Sequence, residues 1–184
     1  IENVGVIGLG KMGLPMAQHL AARNFNVTGY DIRADLAAIA GEAGFAPVTI
    51  PAALATTCDL IIVMVPFDSQ VEAVLFGPDG IIAEASTDLT DELVIAIVST
   101  VSASFVRALP TRAAALDKRV SFIDIPVTGA KKAADEGTLL VLGCGDKAIF
   151  DRCRPALDAV AREDLHLGDL GAGQVAKMVN NQIL

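Results

Sequence analysis

The hydrophobic residues of this chain fall into short runs that are apolar at consecutive positions rather than at alternate ones. A run of this kind predicts a strand covered on both faces, because neither side is left polar for water. Turn-forming or charged residues separate the runs, as they commonly do between strands and helices. Five strands are predicted in this way: Val4–Ile7, Asn26–Tyr30, Leu60–Val65, Leu93–Val98 and Phe122–Ile125.

Alanine-rich stretches with helical spacing of their apolar residues lie between these runs. They predict helices over Met12–Asn24, Ala34–Ala43, Gln70–Leu75 and Ser102–Asp117. The alternation continues with a strand at Thr138–Cys144, a helix at Asp146–Ala161 and a short strand around Leu165. Alternating strands and helices build a parallel sheet through right-handed crossovers. The pattern therefore predicts an α/β protein with a doubly wound, Rossmann-type and mostly parallel sheet.

The last segment of the chain differs from this alternation. Gly171-Ala172-Gly173 predicts a turn, and Gln174–Leu184 predicts a helix whose pattern is still running at the final residue. Ile183 and Leu184 would be apolar side chains with nothing to pack against. The pattern suggests that more protein, or a partner chain, follows.

Composition narrows the classes of partner. The formal net charge of −8 argues against nucleic acid or an anionic membrane as a partner, because both require a basic face. No apolar run reaches the roughly 18 residues of a membrane span, and no leader-like segment precedes the first strand. Cys58, Cys144 and Cys153 share no CxxC spacing. We expect buried thiols, no metal site, and a reducing compartment, either the cytoplasm or the mitochondrial matrix.

A glycine motif follows the first predicted strand and opens the first predicted helix. It reads Gly8-Leu9-Gly10-Lys11-Met12-Gly13, which is GxGxxG. In such a motif the first glycine allows a tight turn and the second lets a pyrophosphate approach the backbone. The third lets the helix pack closely on the sheet. A glycine-rich turn without a ligand is the alternative, but the strand and helix context favours a dinucleotide site.

An acidic residue completes the dinucleotide pattern. Asp31 ends the second predicted strand about 20 residues beyond the glycines, where a carboxylate can accept hydrogen bonds from ribose hydroxyls. A carboxylate also repels a 2′-phosphate, so NAD is the expected cofactor. Arg33 could pair with that phosphate or lie in solvent, so NADP is not excluded.

Three ordered motifs resemble the β-hydroxyacid dehydrogenase family, which includes 3-hydroxyisobutyrate dehydrogenase and tartronate semialdehyde reductase. The first is the glycine motif, continued by Leu14-Pro15-Met16-Ala17. The second is Asp124-Ile125-Pro126-Val127-Thr128-Gly129-Ala130, and the third is Gly171-Ala172-Gly173-Gln174-Val175-Ala176-Lys177-Met178-Val179-Asn180-Asn181. The resemblance covers the chain from its first strand to its last helix.

The resemblance implies a role for particular residues. Lys177 would be the catalytic acid and base, and Asn181, one turn later on the same helix face, would bind substrate beside it. Thr128, Gly129 and Ala130 stand where the family has one serine and two glycines that hold the substrate carboxylate. Thr keeps the hydroxyl and Ala keeps the N–H, but the added methyl groups could narrow the pocket. The implied cofactor contacts are Gly8, Leu9, Gly10, Lys11, Met12, Gly13, Asp31, Ile32, Arg33, Val65, Pro66, Gln70 and Thr100.

The resemblance also implies the organisation and the activity. Residues 1–168 would form the dinucleotide-binding domain, and residues 169–184 would begin an interdomain helix. That helix leads to an all-helical domain outside this chain, through which the protein would form a homo-oligomer. The expected reaction is hydride transfer between NAD(P) and a short 3-hydroxy acid or its semialdehyde. The alternatives are a non-catalytic NAD sensor or scaffold, which has no use for Lys177, an imine reductase and a 6-phosphogluconate dehydrogenase.

Overall fold

The predicted apolar runs form the strands of a central sheet in the computed structural model, which describes residues 1–87 and 93–183. Within those ranges the strands are β1 (Asn3–Ile7), β2 (Asn26–Tyr30), β3 (Ala46–Pro47), β4 (Leu60–Val63), β5 (Leu93–Ile97), β6 (Val120–Asp124), β7 (Val127–Thr128), β8 (Leu139–Gly145) and β9 (Ala161–His166).

Helices connect the strands on both faces of the sheet. They are α1 (Gly13–Ala22), α2 (Ala34–Glu42), α3 (Asp68–Phe76), α4 (Ile81–Glu84), α5 (Ala103–Ala114), α6 (Ala130–Glu136), α7 (Lys147–Leu157) and α8 (Ala172–Ile183), with a 3₁₀ helix at Pro51–Leu54. N-cap side chains begin α5 and α7. Ser102 accepts a hydrogen bond from the Phe105 N–H at the start of α5, and Asp146 accepts one from the Ala148 N–H at the start of α7.

The strand order confirms the predicted fold class. Six strands run parallel in the order β3-β2-β1-β4-β5-β6, which is the Rossmann order. β8 then pairs antiparallel with β6, while β7 and β9 both pair with β8. The chain leaves β1 toward one edge of the sheet and returns beside it as β4. The crevice between the carboxyl ends of β1 and β4 is where open α/β sheets bind ligands.

Alternate residues of the central strands supply two separate cores. Leu60 and Ile62 of β4 face the core under α1 and α7, while Ile61 and Val63 face the core under α3 and α5. All four side chains have no solvent exposure. This is the packing that a continuous apolar run predicts. Among the helices that the structure describes, none is long and apolar enough to cross a membrane.

Several predicted boundaries were wrong. The helix predicted over Asp146–Ala161 ends at Leu157, because Ala159 and Val160 are buried in the turn that leads into β9. The turn predicted at Gly171–Gly173 is already helical from Ala172, and Leu184 lies outside the described residues. α6 was not predicted; an ion pair between Lys131 and Asp135, four residues apart, lies along it.

Candidate active site

A cleft of about 490 Å³ opens at the carboxyl ends of β1, β2 and β4. This volume lies in the range of small-molecule sites. Most of its wall is apolar, and the polar groups come from the turns after the three strands. The lining residues are Ile7, Gly8, Gly10, Met12, Gly13, Tyr30, Asp31, Ile32, Arg33, Met64, Val65, Pro66, Gln70, Ala73 and Val74.

Two glycines let the backbone come together at the base of the cleft. Gly8 has a φ of +89°, and a Cβ on it would lie 2.1 Å from the Met64 carbonyl oxygen. A Cβ on Gly13 would lie 1.9 Å from the Gly8 carbonyl oxygen. Neither position has room for a side chain. These contacts bring the start of α1 against the ends of β1 and β4.

Gly10 differs from the other two glycines, because a Cβ on it would meet no atom within 4 Å. It lines the cleft beside the start of α1, where backbone N–H groups and the helix dipole favour a phosphate. Gln70 also lines the cleft, and its buried amide oxygen has no hydrogen-bond partner. A bare backbone and an unsatisfied acceptor in one cleft fit a dinucleotide that carries both phosphates and hydroxyl or amide donors.

Asp31 is fixed at the end of β2. One carboxylate oxygen accepts a hydrogen bond from the Leu9 N–H at 2.8 Å, and the other accepts one from the Arg33 N–H at 2.9 Å. The Arg33 Nε lies 3.6 Å from the second oxygen. Burial and the nearby Asp31 charge raise the pKa of Tyr30, so the phenol beside the cleft stays neutral. The two backbone bonds hold the carboxylate and its charge at the cleft wall.

The structure brings most of the predicted cofactor residues together. Gly8, Gly10, Met12, Gly13, Asp31, Ile32, Arg33, Val65, Pro66 and Gln70 all line the cleft. Leu9 does not, because its side chain is fully buried in the core and its N–H bonds to Asp31. Lys11 and Thr100 are exposed and lie outside the cleft lining.

The predicted substrate segment lies against α8. The Asn180 side-chain N–H donates to the Thr128 hydroxyl at 3.3 Å, which places α8 beside β7. Lys177 lies one turn earlier and is half-buried, and burial lowers the pKa of its ammonium group. Asn181, the predicted partner of Lys177, is exposed, and its neighbour Asn180 makes the observed contact.

A carboxylate on a distant strand holds the beginning of α8. Asp124, the last residue of β6, has no solvent exposure. Its two oxygens accept hydrogen bonds from the Gly171 N–H at 2.8 Å and the Gln174 N–H at 3.0 Å. Burial raises the pKa of Asp124, and the two N–H donors oppose that rise. Asp124, on β6, therefore caps the start of α8 and fixes the position of Lys177 on that helix.

Ala130 has a backbone conformation that usually requires glycine. Its φ is +56°, which costs an alanine about 1 kcal/mol. We expect Ala130→Gly to stabilise the chain by about 0.5 kcal/mol in urea unfolding, because relief of this strain exceeds the entropy that glycine adds to the unfolded state. The control is Ala108→Gly at an exposed position within α5, which should destabilise by about 1 kcal/mol. A loss of stability in both variants would contradict the strain at Ala130.

Four residues that organise the site had no role predicted from the sequence. Asp124, Gln174 and Asn180 lie within the second and third motifs but had no predicted role, and Ser99 lies outside the motifs. Asp124 carried a signal, since it is a charged residue inside an apolar run. In the described residues no group of three His, Cys, Asp or Glu side chains is placed to hold a metal ion.

A protein-family model matches most of this chain. The model described as the NAD binding domain of 6-phosphogluconate dehydrogenase matches residues 3–171. The chain belongs to this family. It is an NAD-binding domain of the β-hydroxyacid dehydrogenase type, and the resemblance drawn from the three motifs is confirmed.

Three relatives of this NAD-binding domain are named as hydroxy-acid dehydrogenases. The 2-(hydroxymethyl)glutarate dehydrogenase of Eubacterium barkeri is 33% identical over 99% of this chain and 58% of its own length. The L-threonate dehydrogenase of Cupriavidus necator is 35% identical over 97% of this chain and 59% of its own length. The structure of Mycobacterium tuberculosis 3-hydroxyisobutyrate dehydrogenase with L-serine is 30% identical, has a TM-score of 0.87, and is matched over 100% of this chain and 60% of that chain. The chain thus spans about three fifths of the length of these relatives.

Proposed function

We propose that this chain carries the cofactor site and catalytic lysine of an oxidoreductase. The reaction is hydride transfer between NAD and a short 3-hydroxy acid or its semialdehyde. The observation that carries the proposal is the position of Lys177. The lysine is half-buried on α8. Asn180 joins this helix to Thr128, and Asp124 fixes its start at the carboxyl end of β6, on the side of the sheet where the cofactor cleft opens.

Each part of the chain has a distinct task in this proposal. The nicotinamide ring, when bound, supplies or accepts the hydride. Gly8 to Gly13 hold the pyrophosphate, Asp31 binds ribose hydroxyls, and Val65, Pro66 and Gln70 form the opposite wall. Lys177 donates a proton to the substrate oxygen during reduction and takes one from the hydroxyl during oxidation. Burial favours its neutral form, which the oxidation requires.

The substrate is proposed to be a small carboxylate. The Thr128 hydroxyl and the N–H groups of Gly129 and Ala130 would bind its carboxylate, with Asn181 completing the site as the family resemblance implies. The named substrates of the relatives support this class, since 2-(hydroxymethyl)glutarate, L-threonate and 3-hydroxyisobutyrate are all hydroxy acids. A fixed carboxylate determines which carbon faces the hydride.

The proposal is tested by an absorbance assay at the NADH wavelength with a panel of C3 to C5 hydroxy acids and semialdehydes. We expect turnover with unphosphorylated 3-hydroxy acids. Binding of NADH without turnover on any member would favour the sensor or scaffold alternative. Activity confined to phosphorylated sugar acids would favour a 6-phosphogluconate dehydrogenase, and activity confined to imines would favour an imine reductase.

Asp31 is proposed to select NAD over NADP. A fixed carboxylate opposite a 2′-phosphate costs several kcal/mol, so we expect NADH to bind on the order of 100-fold more tightly than NADPH. In Asp31→Asn, which removes the charge and keeps one acceptor oxygen, this preference should fall to about tenfold or less. Fluorescence titration with each reduced cofactor measures the ratio. Asp35→Asn, at an exposed acid in the first turn of α2, is the control and should leave it unchanged. An unaltered ratio in Asp31→Asn would remove Asp31 from this role.

The organisation of the whole protein is also a proposal. In this proposal, residues 1–168 form the dinucleotide-binding domain and residues 169–184 begin an interdomain helix. That helix leads to an all-helical domain, through which the protein forms a homo-oligomer. The exposed apolar side chains of α8 support this, since Val175, Met178, Val179 and Ile183 lie at helical spacing. Cys58, Cys144 and Cys153 are buried and lie outside any disulfide, which suits the cytoplasm or the mitochondrial matrix.

A further inference from the structure

Three polar side chains in the described part of the chain are almost completely buried. Ser99 is 1% exposed, and Asp124 and Gln174 have no exposure. A buried polar group is costly unless it is hydrogen-bonded, so a group of them must be satisfied together. The three belong to one hydrogen-bonded network, which runs from the start of α8 to the edge of the cofactor cleft.

Gln174 uses both ends of its amide on one loop. Its side-chain oxygen accepts a hydrogen bond from the Val101 N–H at 3.0 Å, and its side-chain N–H donates to the Ser99 carbonyl at 3.1 Å. These two contacts lie on either side of Thr100, in the loop that follows β5. The amide therefore braces the loop at both flanks of Thr100 and leaves the Thr100 side chain exposed.

Ser99 extends the network to the cleft. Its hydroxyl accepts a hydrogen bond from the Val65 N–H at 2.8 Å and donates to the Val63 carbonyl at 3.2 Å. Val65 and Pro66 line the cofactor cleft. The loop after β5 is thus joined to the cleft wall on one side and to α8 on the other.

Close packing leaves α8 little freedom at the other end of the network. A Cβ on Gly173 would lie 2.3 Å from the Leu142 carbonyl oxygen and 2.8 Å from a carboxylate oxygen of Asp124. The first turn of α8 therefore packs closely against β8 and β6, and this packing fixes the position from which the Gln174 side chain extends. Lys177 follows one turn later on the same helix.

We propose that Gln174 is a positioning residue that holds the loop 99–101 and the helix of Lys177 in a single arrangement. This inference rests on the proposed NAD-dependent function. Asp31 follows β2 and this loop follows β5, on the other side of β1 and β4 in the sheet. A dinucleotide with its adenosine ribose at Asp31 would therefore have its nicotinamide end on the side of this loop. Gln174 therefore contributes to binding of the nicotinamide end without touching the cofactor, and it contributes nothing to binding of the adenosine end.

The experiment compares binding of NADH with binding of ADP-ribose, which lacks the nicotinamide ring. Gln174→Met keeps the approximate length of the side chain and removes both hydrogen bonds. We expect NADH affinity to fall about tenfold, which corresponds to the loss of one or two net hydrogen bonds. ADP-ribose affinity should stay within about twofold. Gln182→Met, at an exposed glutamine of the same helix, is the matched control and should change neither affinity.

Amide hydrogen exchange gives a readout that needs no ligand. The Val101 N–H loses its acceptor in Gln174→Met, so its exchange should accelerate relative to Gln182→Met, while amides of β1 and β4 stay protected. If Gln174→Met fails to fold, Gln174→Asn decides the question. The shorter amide cannot span the Ser99 carbonyl and the Val101 N–H, so the same difference between NADH and ADP-ribose is expected.

Each other outcome overturns the inference. Equal losses of NADH and ADP-ribose affinity would show general destabilisation. Unchanged affinity for both would show that the hydrogen bonds between Gln174 and the loop 99–101 do not contribute to binding. A wild-type chain that binds neither NADH nor ADP-ribose would overturn the proposed function as well. The wild-type titration therefore separates a failure of the function from a failure of the role given to Gln174.

Discussion

Lys177→Met is expected to lower turnover about 10³-fold, the range that a positioned general acid and base supplies. Methionine keeps the length and apolar stem of the side chain but has no proton to transfer. Lys177 is half-buried on a helix that is secured by Asp124 and Asn180, so the substitution should leave the fold and the cofactor cleft intact. NADH affinity, measured by fluorescence titration, should remain within about twofold of the wild-type value.

Lys147→Met is the control for this prediction. Lys147 forms an exposed ion pair with Asp151 on α7, and such pairs contribute little to stability. Its substitution should leave both turnover and NADH affinity unchanged. Turnover that survives in Lys177→Met would show that another group moves the proton.

The acidity of Lys177 gives the same step a pH dependence. Burial lowers its pKa below the ordinary value of 10.5, so the neutral form is populated at lower pH than for a solvated lysine. Oxidation of the hydroxy acid needs that neutral form, and its rate should rise with pH up to the lowered pKa. Reduction needs the ammonium, and its rate should fall as pH rises through the same value. Opposite pH profiles in the two directions are the expected result.

The second large effect concerns Gly8 and Gly10, which are two residues apart and have opposite surroundings. Gly8→Ala places a methyl group 2.1 Å from the Met64 carbonyl oxygen, on a backbone with a φ of +89°. Neither the backbone at position 8 nor that at Met64 can move easily to relieve this contact, so we expect a loss of about 3 kcal/mol in the free energy of unfolding. Chemical denaturation followed by circular dichroism measures this loss.

Gly10→Ala is the matched variant, because a methyl group there meets no atom within 4 Å. Stability should change by less than about 1 kcal/mol. NADH affinity should nevertheless fall by on the order of 100-fold, since the methyl group keeps the pyrophosphate from the backbone. A stable Gly10→Ala chain with wild-type affinity for NADH would place the phosphates elsewhere.

The architecture was predictable because the strands carry a strong local signal. β1, β4 and β5 are apolar at nearly every position, and the glycine motif followed by Asp31 at the end of the next strand marks the switch point of the sheet. The glycine motif and Asp31 follow from this pattern, because they occupy turns directly after β1 and β2. Val65, Pro66 and Gln70, which also line the cleft, were implied by the family resemblance instead.

The arrangement around α8 could not be predicted in the same way, because it depends on residues far apart in sequence. Asp124 caps a helix that begins 48 residues later at Ala172, and Gln174 binds a loop more than 70 residues earlier. Helical spacing indicated that Lys177 and Asn181 share one face of the helix, but it did not show that the Asn180 side chain donates a hydrogen bond to Thr128. Such contacts follow from how β6 and β8 pair, which no local pattern specifies.

The cleft and the region around Lys177 are built from separate stretches of the chain. Every residue that lines the cleft lies between positions 7 and 74, whereas the proposed substrate segment begins at Asp124 and the helix of Lys177 begins at Ala172. Under the proposed function, substitutions in the second stretch that leave Gln174 and its contacts with Ser99 and Val101 intact would alter which hydroxy acid is accepted while preserving cofactor affinity. In laboratory recombination, a join near residue 120 would keep all cleft residues in one half, provided that both parents carry compatible residues at Ser99, Val101 and Gln174, whose contacts cross the join.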